Sequence, residues 1–181
     1  MLHKKTLLST ALVAGLGFLA FAAAPAHAAS SGTINFTGKV LADTCVIAIN
    51  GGPGTTVALP TVMTGAFSGT GSVAGTTSFT VGLSGCDTNT TSAAMAFNGA
   101  NIDTASGNLN NTTTSGGANV QIQLLNSADA VINASTQANA PTIAVSSGSG
   151  STTMKAQYVA TAASTSAGLV TSSVGFTLTY Q

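Results

Sequence analysis

The sequence predicts an all-β domain built as a sandwich. Short runs in which apolar and polar residues alternate recur along the chain, and this period of two is typical of half-buried strands. Clusters of Gly, Asn, Pro and Ser separate the runs at intervals of about 8–12 residues, as in sandwiches. Only residues 127–140 match a helical period, and only weakly. The chain has 181 residues, enough for one domain of ordinary size.

Residues 1–28 have the layout of a secretory signal peptide. Lys4 and Lys5 form a basic start, residues 7–24 are almost wholly apolar, and Ala26 and Ala28 are the small residues of a cleavage site. A membrane anchor is the alternative, because an apolar run of this length can also span a bilayer. The polar sequence rich in Ser, Thr and Gly that follows favours cleavage after Ala28.

The composition after residue 28 disfavours several classes of function. The chain contains no Arg, Glu or Trp, and both histidines, His3 and His27, belong to the leader. Two lysines and four aspartates remain, so the formal net charge is −2 and no basic surface for nucleic acid is expected. General acid–base catalysis and His/Cys metal sites need side chains that are scarce here. The prediction is no enzyme, no cofactor and no metal.

Cys45 and Cys86 are the only cysteines. An exported chain with an even number of cysteines usually pairs them, so a structural disulfide is predicted. On the loop-entropy model it would stabilise the fold by roughly 4 kcal/mol. Two buried free thiols are the alternative.

The strands are expected in the following order. The alternating or apolar runs are residues 34–40, 45–49, 57–60, 76–83, 93–97, 120–125, 130–132, 141–145, 154–160 and 169–180. Residues 126–129 form the turn of a hairpin, and residues 101–119, rich in Asn, Thr, Ser and Gly, are interpreted as turns and loop. Residues 146–152 are interpreted as a flexible turn.

Both ends of the mature chain carry a strongly apolar alternating strand, although chain termini usually fray. Four residues of the last run share one face: Val174, Phe176, Leu178 and Tyr180. Near the N-terminus Ile34, Phe36 and Val40 share a face, and Gly38 takes the position where a fourth side chain would stand. Either both strands belong to one closed sandwich, or the last strand borders an open groove that another molecule fills by strand addition.

The order and spacing of these segments resemble the type 1-like fimbrial subunits of chaperone–usher pathways. Residues 32–40 followed by Cys45 are similar to the family's donor segment and first cysteine, and residues 78–86 to the strand that carries the second cysteine. Residues 120–129 resemble its central hairpin and residues 155–160 its penultimate strand. Gly168, fourteenth from the end, and the penultimate Tyr180 match the family's chaperone-recognition signature.

The resemblance implies an incomplete immunoglobulin-like β-sandwich of six strands, whose seventh strand is supplied in trans. It divides the chain into a signal peptide (1–28), an N-terminal donor-strand extension (29–42) and a pilin domain (43–181). A periplasmic chaperone would first fill the groove beside residues 168–180. At an outer-membrane usher, Ile34, Phe36, Gly38 and Val40 of the next subunit would replace it. The near absence of charge departs from typical members.

The function expected from this resemblance is that of a structural subunit of an adhesive surface fimbria. Identical or related subunits would form the polymer, after export to the periplasm and assembly outside the cell. The alternative is a secreted carbohydrate-binding or adhesin module. A tip adhesin would need a further binding domain for which the mature chain has no room, and a lectin would more often present exposed Trp.

Overall fold

The computed structural model describes residues 33–41, 44–52 and 55–181. The predicted signal peptide and residues 29–32 and 42 of the predicted donor extension lie outside the described residues. The chain divides into two units, Met1–Gly38 and Lys39–Gln181. In the first unit, described residues 33–38 adopt no regular secondary structure.

The second unit is all-β. Its described residues form one short 3-10 turn, Thr64–Ala66, and nine strands: β1 (Val46–Ile49), β2 (Val73–Ser84), β3 (Ser92–Asn98), β4 (Leu109–Asn110), β5 (Val120–Leu125), β6 (Val131–Ile132), β7 (Thr142–Ser146), β8 (Ser149–Ala160) and β9 (Gly175–Tyr180).

The strands form two layers of a curled sheet. In one layer β1, β2, β8 and β5 lie side by side, and the two-residue strands β4 and β6 pair with β5. In the other layer β3 lies between β7 and β9. The layers join where β7 turns into β8 through Ser147 and Gly148, which both have positive φ, as a tight hairpin turn requires. All pairs of named strands are antiparallel.

The core lies between the layers and is supplied by the inward residues of each strand. Val81 of β2, Met154 of β8 and Ile143 of β7 are almost completely buried, as is Ile132 of β6. Their neighbours along each strand point outward and are more exposed, which is the alternation that the sequence shows. The predicted sandwich is therefore confirmed.

Four predicted segments differ in detail. The last strand begins at Gly175 and not at residue 169, and residues 57–60 form no regular strand. The predicted flexible turn at residues 146–152 shrinks to two residues, because β8 already begins at Ser149. The predicted loop at residues 101–119 contains β4, which is only two residues long.

Candidate functional site

The last strand, β9, borders the second layer and has one unpaired edge among the described residues. Its only strand partner is β3. Ser92 and Gln181 exchange two backbone hydrogen bonds, of 3.2 and 2.9 Å, so they form a hydrogen-bonded pair. In an antiparallel pair of strands, every second residue forms backbone hydrogen bonds with the partner strand, so Thr179 and Thr177 also bond to β3. The N–H and C=O groups of the intervening residues, Phe176, Leu178 and Tyr180, therefore point to the unpaired edge.

The backbone of β3 supports this assignment. Met95 N–H donates to the carbonyl of Pro141 at 3.0 Å, and Phe97 N–H donates to the side-chain oxygen of Gln137 at 2.7 Å. Met95 and Phe97 are directly opposite Leu178 and Phe176, yet their N–H groups point away from β9. The free backbone groups of β9 thus belong to the residues whose side chains face the core.

An open apolar cavity of about 710 Å³ lies beside the beginning of β9. One wall consists of Ile47 and Ile49 of β1 with residues 55–57 and Leu59, and the other wall of residues 172–176. The floor is formed by core side chains of both layers: Phe79, Val81, Met95, Phe97, Leu109, Ile122, Leu124, Met154 and Ala156. We call this cavity, together with the unpaired edge of β9, the acceptor groove.

A disulfide anchors one wall of the acceptor groove. Cys45 and Cys86 are bonded, which confirms the predicted pairing. Cys45 directly precedes β1, and Cys86 follows β2, whose residue Ser84 pairs with Val46. Because β1 is only four residues long and pairs only with β2 among the described strands, the covalent link holds it where Ile47 and Ile49 line the groove.

Two asparagine side chains hold the segment of residues 161–171, which leads into the wall formed by residues 172–176. The amide of Asn111 donates to the carbonyls of Ala118 and Leu169, both at 2.9 Å, and its oxygen accepts from Thr171 N–H at 3.0 Å. The amide of Asn119 donates to the carbonyl of Ser164 at 2.8 Å. These bonds position residues 161–171 ahead of β9. Sequence reasoning missed both residues, since nothing distinguishes them from the many other asparagines of the chain.

Gly168 lies in this connection and not on β9. A Cβ atom at position 168 would overlap the carbonyl oxygen of Gly116 and stand 2.5 Å from the nitrogen of Ala118. The absence of a side chain therefore lets residues 166–169 run against residues 116–118. The other predicted groove residues, Val174, Phe176, Leu178 and Tyr180, do lie together, all packed against the core from one side.

The predicted donor residues are exposed. Relative exposure is 77% for Ile34, 89% for Phe36 and 95% for Val40, although all three are large and apolar. No residue between 33 and 41 belongs to a strand, and a Cβ atom at Gly38 would meet nothing within 4 Å.

Charged groups are sparse around the acceptor groove. Lys155 forms a salt bridge with Asp129 at the surface, and the Lys39 ammonium donates to the carbonyl of Asn89. Hydrogen bonds from Ser106, first its backbone N–H and then its hydroxyl, lower the pKa of Asp103, and burial raises the pKa of Tyr158. In the described part of the chain no three His, Cys, Asp or Glu residues are grouped to hold a metal ion. The groove can bind an extended apolar chain, by burial and by backbone hydrogen bonds.

The described residues thus form a β-sandwich with an open apolar groove beside the unpaired edge of its final strand. A family model described as fimbrial protein matches residues 34–181. The F17 fimbrial protein of Escherichia coli is 41% identical over 92% of this chain and 96% of its own length. The major fimbrial subunit SMF-1 of Stenotrophomonas maltophilia (strain K279a) is 40% identical over 88% of this chain and 98% of its own. The chain belongs to the fimbrial protein family and is a structural fimbrial subunit.

Two solved structures have a similar fold. The Burkholderia pseudomallei antigen and type I fimbria protein BPSL1626 is 29% identical, with a TM-score of 0.51, over 82% of this chain and 97% of that chain. The P pilus rod subunit PapA shares the fold, with a TM-score of 0.53 at 17% identity, over 82% of this chain and 100% of that chain. The predicted immunoglobulin-like fold class is confirmed. No helix among the described residues is long and apolar enough to cross a membrane.

Proposed function

We propose that this subunit polymerises by donor-strand exchange, in which residues 34–40 of one copy fill the acceptor groove of the next. Three observations carry the proposal: a β9 edge that is unpaired among the described strands, an open apolar cavity beside it, and exposed apolar side chains at residues 34–40. An unfilled groove exposes an apolar surface and an unpaired strand edge, which favour aggregation. A donor strand that fills the groove covers both and so stabilises the subunit. Burying Ile34, Phe36 and Val40 contributes roughly 1.5–3 kcal/mol each.

The register of the exchange follows from matching spacings. Four inward positions of the acceptor wall, Val174, Phe176, Leu178 and Tyr180, alternate with the same period as the four donor positions. Since all pairs of named strands in the domain are antiparallel, the donor runs antiparallel to β9. Antiparallel pairs are also slightly more stable than parallel ones. Ile34 then lies opposite Tyr180, and Val40 opposite Val174.

This register satisfies both the backbone and the side chains. The free N–H and C=O groups of Phe176, Leu178 and Tyr180 bond to the directly opposite donor residues, whose side chains also point inward. Each hydrogen bond adds about 1 kcal/mol net. Gly38 falls opposite Phe176, which lines the cavity. A glycine there leaves room for the aromatic ring.

The wider pathway is inferred from the family resemblance. After export and removal of residues 1–28, a periplasmic chaperone fills the groove beside β9, and an outer-membrane usher exchanges it for the donor segment of the next subunit. The product is an extracellular fimbria of identical or related subunits that supports adhesion. The exchange itself needs neither a cofactor nor a catalytic residue.

A synthetic peptide of residues 33–41 tests the mechanism directly. Added to a subunit that lacks residues 1–41, it should raise the melting temperature strongly and exchange slowly, because a filled groove is kinetically stable. A peptide with Gly38→Asn should bind the subunit with at least about tenfold lower affinity, which corresponds to about 1.4 kcal/mol of binding free energy. The matched control is Thr37→Asn, since residue 37 points outward in the proposed register.

Full-length subunits provide the second arm. Gly38→Asn should leave the folded domain intact but abolish fibres, whereas Thr37→Asn should form them normally when each is co-expressed with a chaperone and an usher. Normal fibres from the Gly38→Asn protein would contradict the register. A peptide that neither binds nor stabilises the truncated subunit would overturn donor-strand exchange altogether.

A further inference from the structure

A second apolar cavity, of about 500 Å³, lies next to the acceptor groove. Residues 55–57 and Leu59 line the groove, and residues 61–64, with Phe67, line the second cavity. On the opposite side, residues 172–176 line the groove and residues 165–170 the second cavity. The same two stretches of chain therefore border both spaces in succession, and the second cavity continues the groove beyond the beginning of β9.

The second cavity has an apolar interior and an exposed apolar rim. Its lining includes Val62, Phe67 and Tyr158, and no charged residue lines it. On its rim Met63 is 79% exposed and Leu169 70% exposed. Two large apolar side chains beside an open apolar cavity mark a surface that another molecule covers.

The exposed apolar residue at the opposite end of the domain is Val46, 64% exposed at the start of β1. Val46 pairs with Ser84 at the end of β2, whereas Ala74 near the start of β2 pairs with Tyr158 of the second cavity. Ten residues of strand separate Ala74 from Ser84, a distance of roughly 33 Å. A subunit cannot place its own Val46 in its own second cavity.

We propose that the second cavity is the head-to-tail contact between successive subunits, and that the region around Val46 of a second copy of this chain covers it. The inference rests on the proposed donor-strand exchange. In the antiparallel register, Val40 of the incoming copy lies opposite Val174 of the acceptor. From Val40, six residues lead to Val46, while Leu169 lies five residues before Val174. These spans reach at most about 22 Å and about 18 Å, so the chain is long enough to bring Val46 close to Leu169 of the acceptor.

The chemistry of the two surfaces fits this occupant. Val46 directly follows disulfide-bonded Cys45, which fixes its position relative to β2. Both surfaces are apolar at their centres, so their contact removes exposed hydrophobic area from water. Because the two surfaces differ, the contact is heterologous, so it can repeat from subunit to subunit along a fibre and does not close into a two-fold dimer.

Photo-crosslinking in assembled fibres tests the contact. A photoreactive phenylalanine analogue in place of Leu169 should give subunit–subunit adducts that map, by mass spectrometry, to residues 44–47 or 84–86 of the neighbour. The matched control replaces Val131 of β6, which is exposed and lines neither cavity, and should give no adducts at those residues. Adducts from position 169 that map elsewhere, or none in well-formed fibres, would overturn the inference.

A second variant separates this inference from donor-strand exchange. With the photoreactive residue at position 63, Leu169→Asp should lower the yield of the same adducts about tenfold, the equivalent of one lost leucine burial. If Leu169→Asp impairs folding, Leu169→Ser serves instead. Uptake of the peptide of residues 33–41 should be unchanged, because Leu169 does not line the acceptor groove. If the unaltered protein fails to take up the peptide, the exchange mechanism is contradicted. If uptake is normal but the Leu169 variant gives as many adducts as the unaltered protein, only the proposed head-to-tail contact is contradicted.

Discussion

Gly168 packs directly against the carbonyl oxygen of Gly116, with no room for a side chain between the two segments. Around this contact Leu169 N–H donates to the Gly116 carbonyl at 2.9 Å, and Ala118 N–H donates to the Leu169 carbonyl at 3.1 Å. The segment that leads into β9 is thereby held in one position. Gly168 has a packing role in this subunit, and its part in chaperone recognition stays a prediction.

Gly168→Ala should destabilise the subunit by about 1–3 kcal/mol, because the added methyl group meets rigid backbone atoms on the facing segment. Chemical unfolding of the subunit with donor peptide bound measures the change. Gly65→Ala is the control, since a Cβ atom there would meet nothing within 4 Å. Equal stabilities of the two variants would show that the segment can shift without cost.

Removing the disulfide, by Cys45→Ala with Cys86→Ala, should lower the stability by roughly 4 kcal/mol on the loop-entropy model, given the separation of 41 residues. The affinity for the donor peptide should fall as well, because β1 carries Ile47 and Ile49 of the groove wall. Unfolding curves with and without a reducing agent provide the measurement. The reducing agent should have no further effect on the double variant, and an unchanged midpoint for the reduced unaltered protein would refute the prediction.

Gln137→Ala should cost about 1–3 kcal/mol, since it leaves backbone groups of β3 unpaired. The Gln137 amide accepts from Phe97 N–H at 2.7 Å and donates to the Phe97 carbonyl at 2.9 Å, where β7 no longer pairs with β3. Gln137→Glu should also destabilise, because a carboxylate cannot donate to that carbonyl. Thermal unfolding of the Gln137→Ala and Gln137→Glu variants measures both losses of stability, and Ser135→Ala, at an exposed position, is the control. A Gln137→Ala protein as stable as the control would exclude this role.

Asp103→Asn should change how stability depends on pH. Hydrogen bonds from Ser106 lower the pKa of Asp103 in the folded state below its reference of 3.8, so its ionised form stabilises the fold above that reference value. This contribution is lost as the pH falls through the lower folded pKa. The melting temperatures of the Asp103→Asn variant and the unaltered protein should differ at neutral pH and converge in acid. A constant difference across this range would rule out a contribution from ionisation.

The alternation of apolar residues was enough to predict the sandwich. Val81, Ile143 and Met154 are buried where the period of two places them, because a strand directs successive side chains to opposite faces. The pairing of Cys45 with Cys86 was likewise predicted from their number and from export. The prediction failed at residues 169–174, which were assigned to the last strand but lie ahead of it, where side-chain hydrogen bonds from Asn111 hold Leu169 and Thr171.

The sequence by itself thus determined the fold class, the disulfide and the inward face of the final strand, and it predicted the apolar segment at residues 34–40, whose donor role stays a prediction. Only the tertiary structure decided that the second edge of β9 is unpaired within the described part of the chain and that an open cavity lies beside it. It also decided that Gly168, Gln137 and two asparagines hold the surrounding backbone. The physical reason is that periodicity reports which way a side chain points, whereas an unpaired edge and a cavity depend on which distant strands are neighbours.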